Sequence, residues 1–417
     1  MIRSLRIAAP AVIAACLAVS TASAQSLPLK YTGKPTQTAI TAADAMTRLY
    51  IFADDSMMGR RTGDLGGLKG TAYIEREVRR LGLVPAGDNG TFFQAVPVYS
   101  RSLDVASKLS ADSDALVAGT DYVPLHPDGT PRPLEGAQVV FAGTGDDMIP
   151  ASDAVGKAVF ITGATGGMAA KYPGAAAFIV ARPDQSMAQV RRFGMNTSTL
   201  MHEPTDTVIA PMTIIVPASA AQKFLGVSVE NARRGTVGRT LHGEIHYNEA
   251  AAPARNVVAI IPGSDPKLKK EFVAIGAHND HLGLRRAGPI DTDSLRAYNQ
   301  AAERIFVKRT GELSGFPGSG LTPEERATIH VNVDSLRKIR PARLDSVYNG
   351  ADDDGSGSVG VLEIAEKFAG AKVKPKRSLI FVWHTGEEEG LFGSEFFTDH
   401  PTVPRDSIVA QLNIDMI

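Results

Sequence analysis

Cysteine is nearly missing from this 417-residue chain: the only one is Cys16. It falls in an N-terminal segment that reads as removable, so the mature chain is expected to have neither disulfide nor thiol chemistry. Aromatic residues make up 6%, with a single tryptophan, and 44 Lys and Arg are dispersed against 45 Asp and Glu for a formal net charge of −1. So few stacking rings and no basic excess leave no electrostatic case for nucleic acid or an anionic membrane. Past the N-terminus, no run approaches the roughly 20 apolar residues of a membrane span. What the chain does have is 43% hydrophobic residues, enough for a sizeable core and more than one domain.

The N-terminus carries Arg3 and Arg6, then IAAPAVIAACLAV, then Ala22-Ser23-Ala24 before Gln25. A basic start, an apolar core and small residues at a cleavage point predict a signal peptide over 1–24, and export to the periplasm or beyond the cell. Two competing readings are a lipidated N-terminus at Cys16, from the IAAC string, and a buried first helix.

Chemistry concentrates in the last third. The apolar run FVAIGA, 272–277, has strand character and delivers His278 and Asp280 just past its end. A zinc-binding imidazole usually donates its other N–H to a carboxylate or carbonyl, so His278 as ligand and Asp280 as its orienting partner divide the work naturally. His281 beside them reads as a bystander. GADDDGSG, 350–357, leads into a helical pattern, SVGVLEIAEKFAG. Its aspartates either cap that helix or supply a carboxylate able to bridge two divalent ions roughly 3.5 to 4 Å apart. SLIFVW, 378–383, empties into His384 and then Glu387, Glu388 and Glu389. Such an acidic run is a solvated face or a set of carboxylates with separate roles, one binding metal and another taking a proton. IVAQLNIDMI, 408–417, is a third apolar run holding what reads as a buried carboxylate, Asp415, which needs a partner such as a metal. Strands alternating with helices predict an α/β fold with a mixed, mostly parallel sheet, whose ligands bind beyond the carboxyl ends of the strands.

In order, AHNDHLG, GADDDGSG, HTGEEEGLFGS and NIDM resemble the zinc aminopeptidases and carboxypeptidases of metallopeptidase family twenty-eight. The resemblance implies a zinc exopeptidase fold and two Zn²⁺. His278 and Asp415 would bind one ion, Asp353 would bridge both, Glu388 would bind the second, and Glu387 would be the general base for a metal-bridging water. Asp353 takes the bridging role because it lies three residues before Ser356, and a cis peptide is expected to follow it. The family's second zinc also takes a histidine well downstream of the NIDM strand. The chain stops at Ile417, so that ligand is expected to be missing and the catalytic domain incomplete. His330 and His384 could stand in, although nothing in their spacing sets either beside Glu388.

The same resemblance organises the rest. Residues 25–114, with GRRTG, YIEREVRRLGL and PAGDNG, look like the opening of the peptidase domain, and TAADAMTRLYIFADD and TAYIEREVRRLGL predict two packed helices. Arg60 and Arg61 are either exposed turn residues or binders of a substrate carboxylate. Residues 115–250, with GAQVVFAG, VGKAVFITG and PGAAAFIVA, resemble an inserted, mainly-β protease-associated domain. Residues 251–417 form the catalytic part, with a helical insertion over about 284–349. There Thr322, Pro323 and Glu325 have the pattern of a capped helix start, and the insertion either overhangs the site or decorates the surface.

Functionally, the resemblance implies an exported exopeptidase acting on peptide or protein, with aminopeptidase first. The alternatives are a carboxypeptidase, another amide hydrolase or cyclase of the same fold, and a non-catalytic peptide-binding relative. Imidazole and carboxylate donors suit zinc, cobalt or manganese.

Overall fold

Three of the apolar runs lie side by side as parallel strands in the computed structural model. The structure describes residues 36–417 except 126–129, 145–146, 164–165, 203–208, 286–287 and 315–319, so the expected signal peptide and Cys16 lie outside the described residues. Phe272–His278 runs between Ser378–His384 and Ile408–Asn413, parallel to both. Its register sets His278 opposite His384, so the loops that follow open on one edge of the sheet. Arg255–Ile261 pairs antiparallel with Ser378–His384, and the short strands Val84–Pro85 and Phe93–Ala95 pair with Arg255–Ile261 in turn. The sheet is therefore mixed, with its parallel strands at the site.

Every residue of Ser378–His384 is buried, as a strand covered on both faces requires. Alternation divides its side chains. Phe381 and Trp383 pack with Phe52, Tyr73, Ile74, Val361 and Leu362 from the helices Ala42–Phe52, Leu65–Arg80 and Gly357–Ala369. Ile380 and Val382 face the opposite way, towards Phe397 of the helix Phe392–Asp399. Each such buried side chain stabilises by roughly 1.5 to 3 kcal/mol. The buried Arg48 ties the first helix to Gly357–Ala369, donating to Glu363 at 2.6 Å and also pairing with Glu366.

An eight-stranded sheet forms a second core. The parallel strands Ala137–Phe141, Ala158–Thr162, Ala177–Arg182 and Met212–Pro217 run through it, and it also takes in Lys108–Ala111, which precedes residue 115, and Asp114–Leu116, which spans it. A separate three-stranded sheet joins the chain entering this region to the chain leaving it: Val98–Leu103 pairs antiparallel with Tyr247–Ala252 and with Ser198–Met201.

The segment after residue 283 is closed at its base by Gly283–Leu284 against Val347–Tyr348 and by Ile290–Asp291 against Leu344–Asp345. Its long helix is Thr292–Thr310. The helix Pro323–Ala327 starts as its sequence predicts: Thr322 accepts from the Glu325 N–H, and Glu325 reaches back to the Thr322 N–H at 2.8 Å. Gly59 lets a preceding turn lie against this base. Its φ is +67°, and a Cβ there would stand 2.4 Å from the Gly283 carbonyl oxygen.

Candidate metal centre

His278 ends its strand with a side chain only 4% exposed. Its Nε2 lies 3.1 Å from Asp353 Oδ1, 3.7 Å from Asp415 Oδ1 and 3.8 Å from Glu387 Oε2. On the other side of the ring, Nδ1 faces Asp280 Oδ1 at 3.6 Å. Asp280 is fully buried, and its Oδ1 also accepts the backbone N–H of Glu387. Burial by itself would lower the His278 pKa, but Asp280, Asp354 and Glu387 outweigh it and hold the group up at about 9. Burial pushes the Glu387 carboxyl up, although His278 opposes the shift.

The aspartates of the triplet do different things. Asp354 is the cap: Oδ1 accepts from Gly357 N at 2.8 Å and from Met416 N at 3.2 Å, and Oδ2 accepts from His278 N at 3.1 Å. Burial raises its pKa to about 7. Asp353 instead meets the His278 ring, and the peptide between the two aspartates is cis. Ligand atoms of His278, Asp354 and Asp415 lie within 4.8 Å of one another, as do those of His281, Asp353 and Glu388. Because backbone N–H groups already engage both Asp354 oxygens, Asp353 is the freer donor, and its contact with His278 joins the two groups.

Three expectations need correction. Asp415 is not a buried carboxylate within a strand: it follows the end of Ile408–Asn413 and its side chain is 39% exposed. That strand pairs on one edge only and its residues are mostly exposed, so its apolar run does not signal a covered position. Nor is His281 a bystander. Its Nδ1 touches Glu388 Oε1, and both atoms are buried without the geometry of a hydrogen bond. A second imidazole three residues after His278 was visible in the sequence, but loop spacing does not fix where a ring points. Finally, Arg60 neither sits exposed in a turn nor reaches a substrate. It is fully buried and donates to the carbonyls of Phe52, Asn279, Asn349 and Gly350. Burial lowers its pKa to about 10 while nearby Asp280, Asp354 and Asp353 favour the charge.

The other candidate histidines stay apart. His330 is exposed. His384 lies buried edge-on to Phe397, and burial lowers its pKa to about 4. The acidic run is no solvated face: Glu387, Glu388 and Glu389 are all partly buried. Glu388 and Glu389 line a cleft of about 990 Å³ with Arg61, Arg285 and Tyr348, and its lining includes Asn196–Thr199, which run into the strand Ser198–Met201. Arg61 crosses this cleft, donating to Glu389 at 2.8 Å and to the Thr199 hydroxyl at 2.9 Å.

Carboxylates crowded around two imidazoles, with Glu388 Oε1 and His281 Nδ1 left without hydrogen bonds, fit a cation better than they fit one another. Residues 314–417, which contain Asp353, Glu387, Glu388 and Asp415, match the family described as Peptidase family M28. Among similar proteins, Leupeptin-inactivating enzyme 1 of Streptomyces exfoliatus is 42% identical over 79 residues, 18% of this chain and 18% of that protein. Leucine aminopeptidase 1 of Coccidioides posadasii is 37% identical over 129 residues, 30% of this chain and 32% of that one. The chain thus matches less than a third of either relative's length. Among solved structures, an aminopeptidase from Aneurinibacillus sp. strain AM-1 is 15% identical with a TM-score of 0.44, over 89% of this chain and 69% of that one. BSAP, a zinc aminopeptidase from Bacillus subtilis, is 15% identical with a TM-score of 0.43, over 92% and 70%.

Proposed function

We propose that the protein is an exported di-zinc exopeptidase, and first an aminopeptidase. The observation that carries this reading is the convergence of Asp353, Asp415 and Glu387 on the Nε2 of His278, with Glu388 beside them. His278, Asp353 and Asp415 would hold one zinc, with Asp353 shared towards a second at Glu388. When bound, zinc supplies Lewis acidity, polarising the scissile carbonyl and making water a better nucleophile. Glu387 takes the proton from that water and hands it to the leaving amine. Its half-buried carboxyl, raised by desolvation, is tuned towards such two-way transfer. Asp280 holds His278 from behind and fixes the start of the acidic turn through the Glu387 N–H.

Two supports come from elsewhere in the chain. The cleft that reaches Glu388 between the start of the strand Ser198–Met201 and the segment after residue 283 gives a peptide one walled approach. The second sheet occupies the region that resembles a protease-associated domain, and in this reading it restricts which chains enter. Export is supported by the charged and then apolar N-terminal sequence.

The test is a paired substrate panel on the zinc-loaded protein: aminoacyl anilides with free and with acetylated N-termini, and N-blocked dipeptides with free C-termini. Release of amine only from free N-termini is expected. Cleavage confined to the blocked dipeptides would select the carboxypeptidase alternative, and no hydrolysis of any member would leave the peptidase reading without support.

A further inference from the structure

We infer that Arg285 recognises a substrate carboxylate in the cleft, so that the preferred substrates are short peptides bearing a carboxylate a few residues from the cleaved bond, at the C-terminus or on a side chain. This inference rests on the peptidase reading above and names the substrate class of that same site. It gives an arginine of the segment after residue 283 the task that the sequence offered to Arg60 and Arg61.

Three observations carry it. First, the charges that line the cleft do not cancel. Arg61 is met by Glu389 at 2.8 Å and by Asp64 at 3.7 Å, and Glu388 is met by His281. Arg285 lines the same cleft, but its side-chain partners among the described residues are neutral: Nη1 donates to the Tyr348 hydroxyl at 2.7 Å and Nε to the Gly288 carbonyl at 3.3 Å. A guanidinium whose charge is not matched by a neighbouring acid suits an anion, and its planar fork matches a carboxylate. Second, the group is held before any substrate arrives. Its Cζ lies over the Tyr348 ring, 5.0 Å from the centroid, and the Arg285 backbone N–H donates to the Ser346 carbonyl at 2.8 Å beside the antiparallel pairing of Gly283–Leu284 with Val347–Tyr348. A side chain already ordered gives up little freedom on binding. Third, its place relative to the metal centre fits a short chain. Tyr348 meets His281 edge-on with centroids 6.5 Å apart, and His281 touches Glu388. Two ring contacts therefore separate Arg285 from the acidic turn, a span on the order of two to four extended residues at about 3.3 to 3.6 Å each. Leu65, Leu282 and Leu284 are exposed in the same cleft and offer apolar contact to the rest of such a peptide.

The competing account is that Arg285 only braces the base of its segment through Tyr348. The two accounts separate by kcat/KM of the zinc-loaded full chain on three peptides: Leu-Gly-Gly, its C-terminal amide, and the C-terminal amide of Leu-Asp-Gly. Expected is an advantage of about tenfold or more for a carboxylate-bearing peptide over the neutral amide, falling to near one in Arg285→Gln. An advantage shown by Leu-Gly-Gly assigns the carboxylate to the C-terminus, and one shown by the Leu-Asp-Gly amide assigns it to a side chain. A brace lowers all three rates together, so an unchanged advantage in Arg285→Gln overturns the inference, as does a parent that cleaves all three alike; both results leave the peptidase reading standing. If none is cleaved, that reading fails, and calorimetry with the same peptides decides the site by itself. Tighter binding of a carboxylate-bearing peptide that is lost in Arg285→Gln upholds it, and equal binding of all three overturns it. If circular dichroism shows Arg285→Gln misfolded, Arg285→Lys takes its place and is expected to cut the advantage severalfold, because an ammonium lacks the fork; an undiminished advantage there refutes the assignment.

Discussion

Asp280 Oδ1 accepts the backbone N–H of Glu387 at 3.1 Å while lying 3.6 Å from the Nδ1 of His278. One buried carboxylate therefore sets both the orientation of the strand-end histidine and the position of the acidic turn. Glu387 and His278, the base and the metal ligand of the proposed reading, share a single anchor, so a shift in one loop is felt in the other.

Glu387 stands 3.8 Å from His278 Nε2, with its carboxyl near solvent. Replacing Glu387 by Ala should leave the zinc content at the parent level and cut turnover by about 10²- to 10⁴-fold, the usual contribution of a general base. Steady-state kinetics beside elemental analysis check this. A variant cleaving at the parent rate would remove Glu387 from the role.

Asp353 touches the His278 ring and belongs to the group around Glu388. Asp353→Ala should release both zincs, whereas Asp415→Ala should weaken only the ion at His278. Zinc titration with a competing chelator distinguishes the two. Equal and partial losses in both variants would argue against a shared carboxylate.

Arg60 spans four backbone carbonyls, among them Asn279, which follows His278, and Gly350, which precedes the aspartate triplet. Arg60→Met strands those acceptors in a buried site and should cost on the order of 3 kcal/mol or more. Arg60→Lys should recover only part of this, because a point charge cannot replace the planar fork. Trp383, the chain's single tryptophan, is buried against Ser358 and reports the unfolding midpoint by fluorescence. An unchanged midpoint in Arg60→Met would show that the carbonyls find other partners.

Arg61 links Glu389 to Thr199 across the cleft. Because the pair is partly exposed it is worth at most about 1 kcal/mol. Thr199→Val should therefore change KM by about fivefold or less, with kcat near the parent value. A large fall in kcat would mean that the strand Ser198–Met201 takes part in ordering the catalytic loop.

Asp293 is held by Arg340 and Arg343, and the Arg340 hydrogen bond above all pulls its pKa down to about 2. The folded value lies below the unfolded one of about 3.9, so its stabilising contribution is present above about pH 4 and is lost as the pH falls towards 2. Amide exchange in Thr292–Thr310 should accelerate across that window, and Asp293→Asn should show the faster exchange already at neutral pH.

His278, Asp353, Glu387 and Glu388 were legible because each follows a short apolar run or opens a helix, and strand ends are where a sheet of this kind gathers polar chemistry. The capped start at Thr322 was legible for a similar reason: its signal spans only four residues. The exposure of Asp415 was not legible, because an apolar run does not tell a central strand from one paired on a single edge.

The sequence by itself determined which residue types stand after each strand, and with them the site's chemistry of imidazoles and carboxylates. Only the tertiary structure decided that His281 meets Glu388, that Asp354 caps while Asp353 faces the ring, and that Arg60 is a buried strut. Those outcomes depend on contacts between residues far apart in the chain, such as Arg60 with Gly350, 290 positions away. Local pattern encodes a residue's place along its strand or loop, while the direction of its side chain is set by whatever packs against it.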